Sequence, residues 1–170
     1  MRTDIKNGMI YKDDRIVFWA RYDDPQAHKH FAKHVLISSL PFTCIVEEAS
    51  ENLHSLVIQS NVMHCVRRNK DAPMAVFLID TTSELSRIID DELLKGKNFG
   101  ALPIEIENHL IRMLEDGDPL EAVDEYLVGT LAVHAKQKKR KANGASVFGD
   151  MCKSEGERNM TAVLPKRYVL

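Results

Sequence analysis

Residues 50–68, SENLHSLVIQSNVMHCVRR, are the stretch on which the topology turns. Ser50, Leu53, Leu56, Val57, Ser60, Met63 and Cys65 or Val66 recur at helical spacing. The same residues also divide into two runs, LHSLVIQS and NVMHCVRR, whose Val and Ile suit strands. Period 3.6 accounts for more positions than alternation does, so a helix is the expected state, with a pair of strands as the alternative.

Toward the N-terminus, Met9 to Tyr11 and Arg15 to Tyr22 are β-rich runs separated by Lys12-Asp13-Asp14, the pattern of a hairpin. Asp24-Pro25 reads as a helix start, with a capping carboxylate and a proline that gives up no needed hydrogen bond. Ala27, Phe31, Val35 and Ile37 then roughly follow helical spacing, and Pro41 stops the run. Phe42 to Val46 reads as a short strand.

Toward the C-terminus, Met74 to Ile79 (MAVFLI) is apolar throughout, as in a central strand buried on both faces beneath helices. Thr81-x-x-Glu84 has the form of a capping box, with Thr81 as cap of a helix running to about Lys95. Pro103 to Leu114 places Ile106, Leu110, Met113 and Leu114 on one side. Asp118-Pro119-Leu120-Glu121 starts another helix, which keeps Leu120, Val123, Leu127 and Leu131 in register. Only Glu115-Asp116-Gly117 separates these two helices, so an antiparallel pair is expected.

Composition excludes several classes. With 44% hydrophobic and 28% charged residues, 170 residues suit one globular domain rather than a disordered or fibrous chain. No apolar run approaches the roughly 20 residues of a membrane helix, and MRTDIKNGMIYKDD lacks the apolar core of a signal peptide. Three cysteines without a Cys-x-x-Cys pair point to a reducing compartment, and Cys44 and Cys65 lie in apolar surroundings where a buried thiol is the ordinary state.

The net charge of −2 hides a partition. Residues 80–126 carry 4 basic and 13 acidic side chains, whereas residues 136–170 carry 9 and 3. From Lys136 the apolar periodicity also fails, so a globular domain over 1–135 and a basic C-terminal tail over 136–170, mobile or ordered by a partner, are expected.

Three sites are candidates. Lys136, Lys138, Lys139, Arg140 and Lys141, with Lys166 and Arg167 further on, suit a polyanion, an acidic protein surface or the dipole of their own helix; without interleaved aromatics, base stacking is not expected. His30 and His34, four apart on the expected helix beside His28, have a spacing used by metal sites; Lys29 and Lys33 beside them repel a cation, so an exposed pair without metal is expected. Asp80, Thr81 and Ser83 lie where a strand end meets a helix start, the place for a pocket if the protein is an enzyme, with Asp80 as acid or base. In the ordinary reading they only cap the helix.

The expected fold is α/β or α+β: a small mixed sheet of about four strands with an N-terminal hairpin, covering helices, a C-terminal helical hairpin and a basic tail. No phosphate loop or catalytic signature occurs, and no cofactor is implied. The expected function is therefore a small non-enzymatic adaptor or regulator, cytoplasmic or nuclear. It would bind a protein partner or a second copy of itself, with nucleic acid a candidate for the tail and no membrane contact. An enzyme built on Asp80 and an oligomer that exchanges tails are the alternatives.

Overall fold

Strands, not helices, occupy most of residues 27–37 and 50–68. A computed structural model describes residues 8–20, 24–46, 49–67 and 69–156. The chain forms β1 (Met9–Lys12), β2 (Arg15–Ala20), β3 (Asp24–His28), β4 (Lys33–Val46), β5 (Ala49–Ile58), β6 (His64–Arg67) and β7 (Met74–Ile79). Helix α1 (Glu84–Ile89) continues into a π-helical turn (Asp90–Leu94), then come β8 (Phe99–Gly100), α2 (Ile104–Asp116) and α3 (Leu120–Gly156). The expected small mixed sheet is thereby overturned. The sheet has eight strands ordered β1-β2-β7-β4-β5-β8, with β3 paired to β6 and β6 to β4. Every pairing among the described strands is antiparallel. The helical end also departs from a matched hairpin, since α2 has 13 residues and α3 has 37.

The helix expected over 27–37 fails because its apolar face does not exist. Phe31 is 87% exposed, while Lys33 to Ser38 form an unbroken buried run, the pattern of a strand covered on both faces. Pro41 does not end an element. It lies inside β4 where the pairing with β5 slips between Ile37 and Phe42, a place that tolerates a residue without an N–H. The helix favoured over 50–68 is likewise two strands. Asn61 interrupts it with a left-handed φ of 63°, a conformation asparagine tolerates, and its N–H donates to the His30 carbonyl at 2.6 Å.

Alternation along the strands builds two cores. Val17, Val35, Ile37, Val57, Ala75, Phe77 and Ile79 face the helices and pack with Leu85, Ile89, Ile106, Leu110, Val123 and Leu127. Leu36, Phe42, Leu56, Ile58, Met74 and Val76 form the second core on the other side of the strands. This is why MAVFLI shows no alternation: β7 is central, with helices against one face and the sheet's own second core against the other.

Polar pairs lock the helices to the sheet. Arg15 of β2 binds both carboxylate oxygens of Asp124 in α3 at 2.6 and 2.9 Å. The Ser55 hydroxyl donates to Glu107 of α2 and accepts from the Leu102 N–H. Helix α2 ends at Gly117, whose φ of 78° is left-handed. Gly117→Ala should therefore cost about 1 kcal/mol, read as a lower urea midpoint; an unchanged midpoint would contradict a requirement for glycine there.

Chain contacts define two units, Met1–Val133 and His134–Leu170. The first holds the sheet, both cores and the helices up to the middle of α3. In the second, the described residues continue α3 through the basic run to Gly156. No described helix is long and apolar enough to cross a membrane.

Candidate functional site

Pairing of β3 with β6 sets His28 opposite His64. His34, near the start of β4, lines the same cavity as Leu36, and His30 lies on the connection between β3 and β4. Together the four imidazoles close a ring. Centroid distances are 4.6 Å for His28–His30, 4.8 Å for His30–His34, 4.8 Å for His34–His64 and 4.6 Å for His64–His28. Across it, His30 and His64 are 5.7 Å apart.

Backbone contacts choose the tautomers. Nδ1 of His28 lies 2.8 Å from the Gln26 carbonyl, and Nδ1 of His64 lies 2.9 Å from the Val62 carbonyl. A carbonyl only accepts, so each Nδ1 carries a proton, which in the neutral ring makes Nε2 the nitrogen with the lone pair. Metal-binding histidines are commonly oriented in this way. Nitrogen atoms of His28, His30 and His64 lie within 4.8 Å of one another. A tetrahedral ion with bonds of 2.0–2.1 Å needs them about 3.3 Å apart, a contraction that the exposed His30 and half-buried His28 can supply from the rim.

His34 completes the picture from below. It is 5% exposed, and its Nδ1 has no hydrogen-bond partner. Burial, then the neighbouring His64, His30 and His28, push its pKa down to about 3, so it stays neutral and able to donate a lone pair. A buried imidazole nitrogen without a partner is costly unless something else occupies the site.

The rings open on a cavity of about 100 Å³ whose remaining wall is apolar. Nitrogen-only donors suit zinc, copper, nickel, cobalt or iron and not magnesium or calcium. The donor set, its tautomers and the unpartnered His34 nitrogen therefore fit a divalent transition metal.

His30 and His34 are thus brought together, though neither on a helix nor as an exposed pair: His34 is buried and His30 exposed. Lys33, which counted against a cation, points to the opposite face. Its ammonium donates to the Ser86 hydroxyl at 2.6 Å, the Ser86 carbonyl at 3.1 Å and the Asp90 carboxylate at 2.6 Å. Asp90 belongs to the π-helical turn and also accepts from Gln59. Sequence reasoning missed His64 as a member, because no local pattern ties it to His28.

Asp80, Thr81 and Ser83 form a tight turn. Ser83, not Thr81, caps α1 by accepting from the Ser86 N–H at 3.0 Å. Asp80 is exposed; the Thr82 N–H and then the Thr82 hydroxyl hold its carboxyl below the usual range. Cys44 and Cys65 are both buried, and burial pushes the Cys44 thiol up to about 12. In the basic run, Lys136, Lys138 and Arg140 are exposed on α3. The side chains of Lys139 and Lys141, and all of Lys166 and Arg167, lie outside the described residues.

No protein-family model matches the sequence, and no curated protein matches it. Among solved structures, the chain is similar to a Neisseria meningitidis protein at 13% identity and a TM-score of 0.38, over 47% of this chain and 89% of that one. It is similar to a cupin protein of Bacteroides fragilis at 11% identity and a TM-score of 0.38, over 49% and 85%. It is also similar to ToxT from Vibrio cholerae at 11% identity and a TM-score of 0.46, over 78% of this chain and 58% of that one. At these identities and scores the likenesses carry no inference about function.

Proposed function

We propose that the folded unit is a metal-dependent ligand-binding domain of regulatory type, in which His28, His30 and His64 hold a divalent transition-metal ion and His34 supports or completes the set. The observation that carries this reading is the ring of four imidazoles around a cavity, two of them with Nδ1 tied to a carbonyl. Bound there, the ion would supply a Lewis-acidic position facing the cavity. The apolar remainder of the wall supports binding over turnover.

Calorimetric titration of the chelator-treated chain with Zn²⁺ and with Co²⁺ tests it. One equivalent of either ion is expected, while Mg²⁺ gives no heat. His28→Ala, His30→Ala and His64→Ala should each weaken binding on the order of a hundredfold or more, since even supporting residues of metal sites are worth 10–100-fold. His134→Ala, at an exposed position of α3, should change nothing. Affinity should fall as the solution is acidified, because protons compete for the same lone pairs. Wild-type chain that binds none of these ions sinks the proposal.

A further inference from the structure

The cavity wall beyond the histidines specifies what the site receives. Phe18, Leu36, Val66, Met74, Val76 and Leu78 line it, and no carboxylate does so among the described residues. Three or four neutral imidazoles leave a divalent ion with its full double charge, next to apolar surface where uncompensated charge is expensive. A ligand that satisfies this wall must bring an anionic head to the ion and an apolar body to the floor.

Volume narrows the choice. A cavity of 150 Å³ lined by apolar side chains holds benzene, and this one is about 100 Å³, with His30 its exposed lining residue. The body is therefore no larger than a short branched chain or a single ring. Resting on the metal reading, we infer that the site takes a small monocarboxylate with a compact apolar body, its carboxylate toward the histidines and its hydrocarbon against Phe18, Leu36 and Val76.

The test uses the whole chain loaded with Co²⁺, whose visible absorption reports its coordination. Isovalerate, acetate and 3-methylbutan-1-ol are titrated separately. Each buried methylene is worth about a fourfold gain in affinity, so isovalerate should bind on the order of tenfold or more tighter than acetate. The alcohol, with the same body and no charge, should leave the spectrum unchanged. Ala20 lines the cavity outside the histidine ring, and Ala20→Leu should remove the isovalerate advantage while cobalt still binds. Equal affinity for acetate and isovalerate would overturn the inference by showing that the wall selects nothing. Stoichiometric cobalt with no spectral response to any carboxylate would overturn it while leaving the metal site intact. Failure of cobalt to bind would overturn the metal reading, and this inference with it.

Discussion

Replacing Arg15 by methionine is expected to lower folding stability by about 3–5 kcal/mol. Asp124 is 1% exposed, and the one guanidinium of Arg15 serves both of its oxygens. Removing Arg15 leaves that carboxylate buried beside Val123, Leu127 and the rest of the helix-facing core. The carboxylate then either keeps an uncompensated charge or takes up a proton. Asp14 cannot replace the lost contact, since it is itself a carboxylate held by the same guanidinium. The double variant Arg15→Met, Asp124→Leu removes both charges and should recover most of the loss. Urea midpoints of the two single variants and the double variant decide the matter. A loss below about 1 kcal/mol for Arg15→Met would show that the pair contributes no more than an exposed one.

Acid should destabilise the metal-free chain through His34. In the folded state this imidazole stays neutral down to about pH 3, whereas in the unfolded chain it takes a proton at about 6.5. The unfolded state therefore binds more protons between those values. The stability contribution is complete above pH 6.5 and is lost as pH falls through that window, by roughly 3 kcal/mol at pH 4. The groups facing His34 are His28 and His30 from β3 and the following connection, and His64 from β6. His34→Leu removes the linkage, so its stability should fall less steeply with acid, the two curves diverging by about 1.4 kcal/mol per pH unit. Parallel curves would show that His34 is not held neutral by the fold.

The start of α3 was legible because its signal is local. Asp118-Pro119 acts within one turn of its own backbone, and α3 begins directly after it at Leu120. The hairpin of β1 and β2 was legible for the same reason, with Lys12 paired to Arg15 across its turn. The middle of the chain was not. Over residues 27–37 and 50–68 the apolar residues follow period 3.6 well enough to suggest helices, yet both stretches are mainly strand, because intrinsic preference is too weak to decide. Burial of β4 on two faces makes the choice, through β5, β6 and β7, all of which pair with it.

The candidate site divides along the same line. His28, His30 and His34 are close in sequence, so the sequence alone brought three imidazoles into one region and supplied the wrong element for them. It also determined the charge partition, the apolar surroundings of the cysteines and the start of α3, all properties of a residue and its near neighbours. Tertiary structure decided what needs distant partners: the eight-stranded order, the second core and the pairing that sets His64 opposite His28. It turned Lys33 away to Asp90 and left His34 buried with an unpartnered nitrogen. The physical reason is that a strand has no stable form alone. Its register, its faces and whatever those faces enclose exist only once the neighbouring strands supply hydrogen bonds and cover.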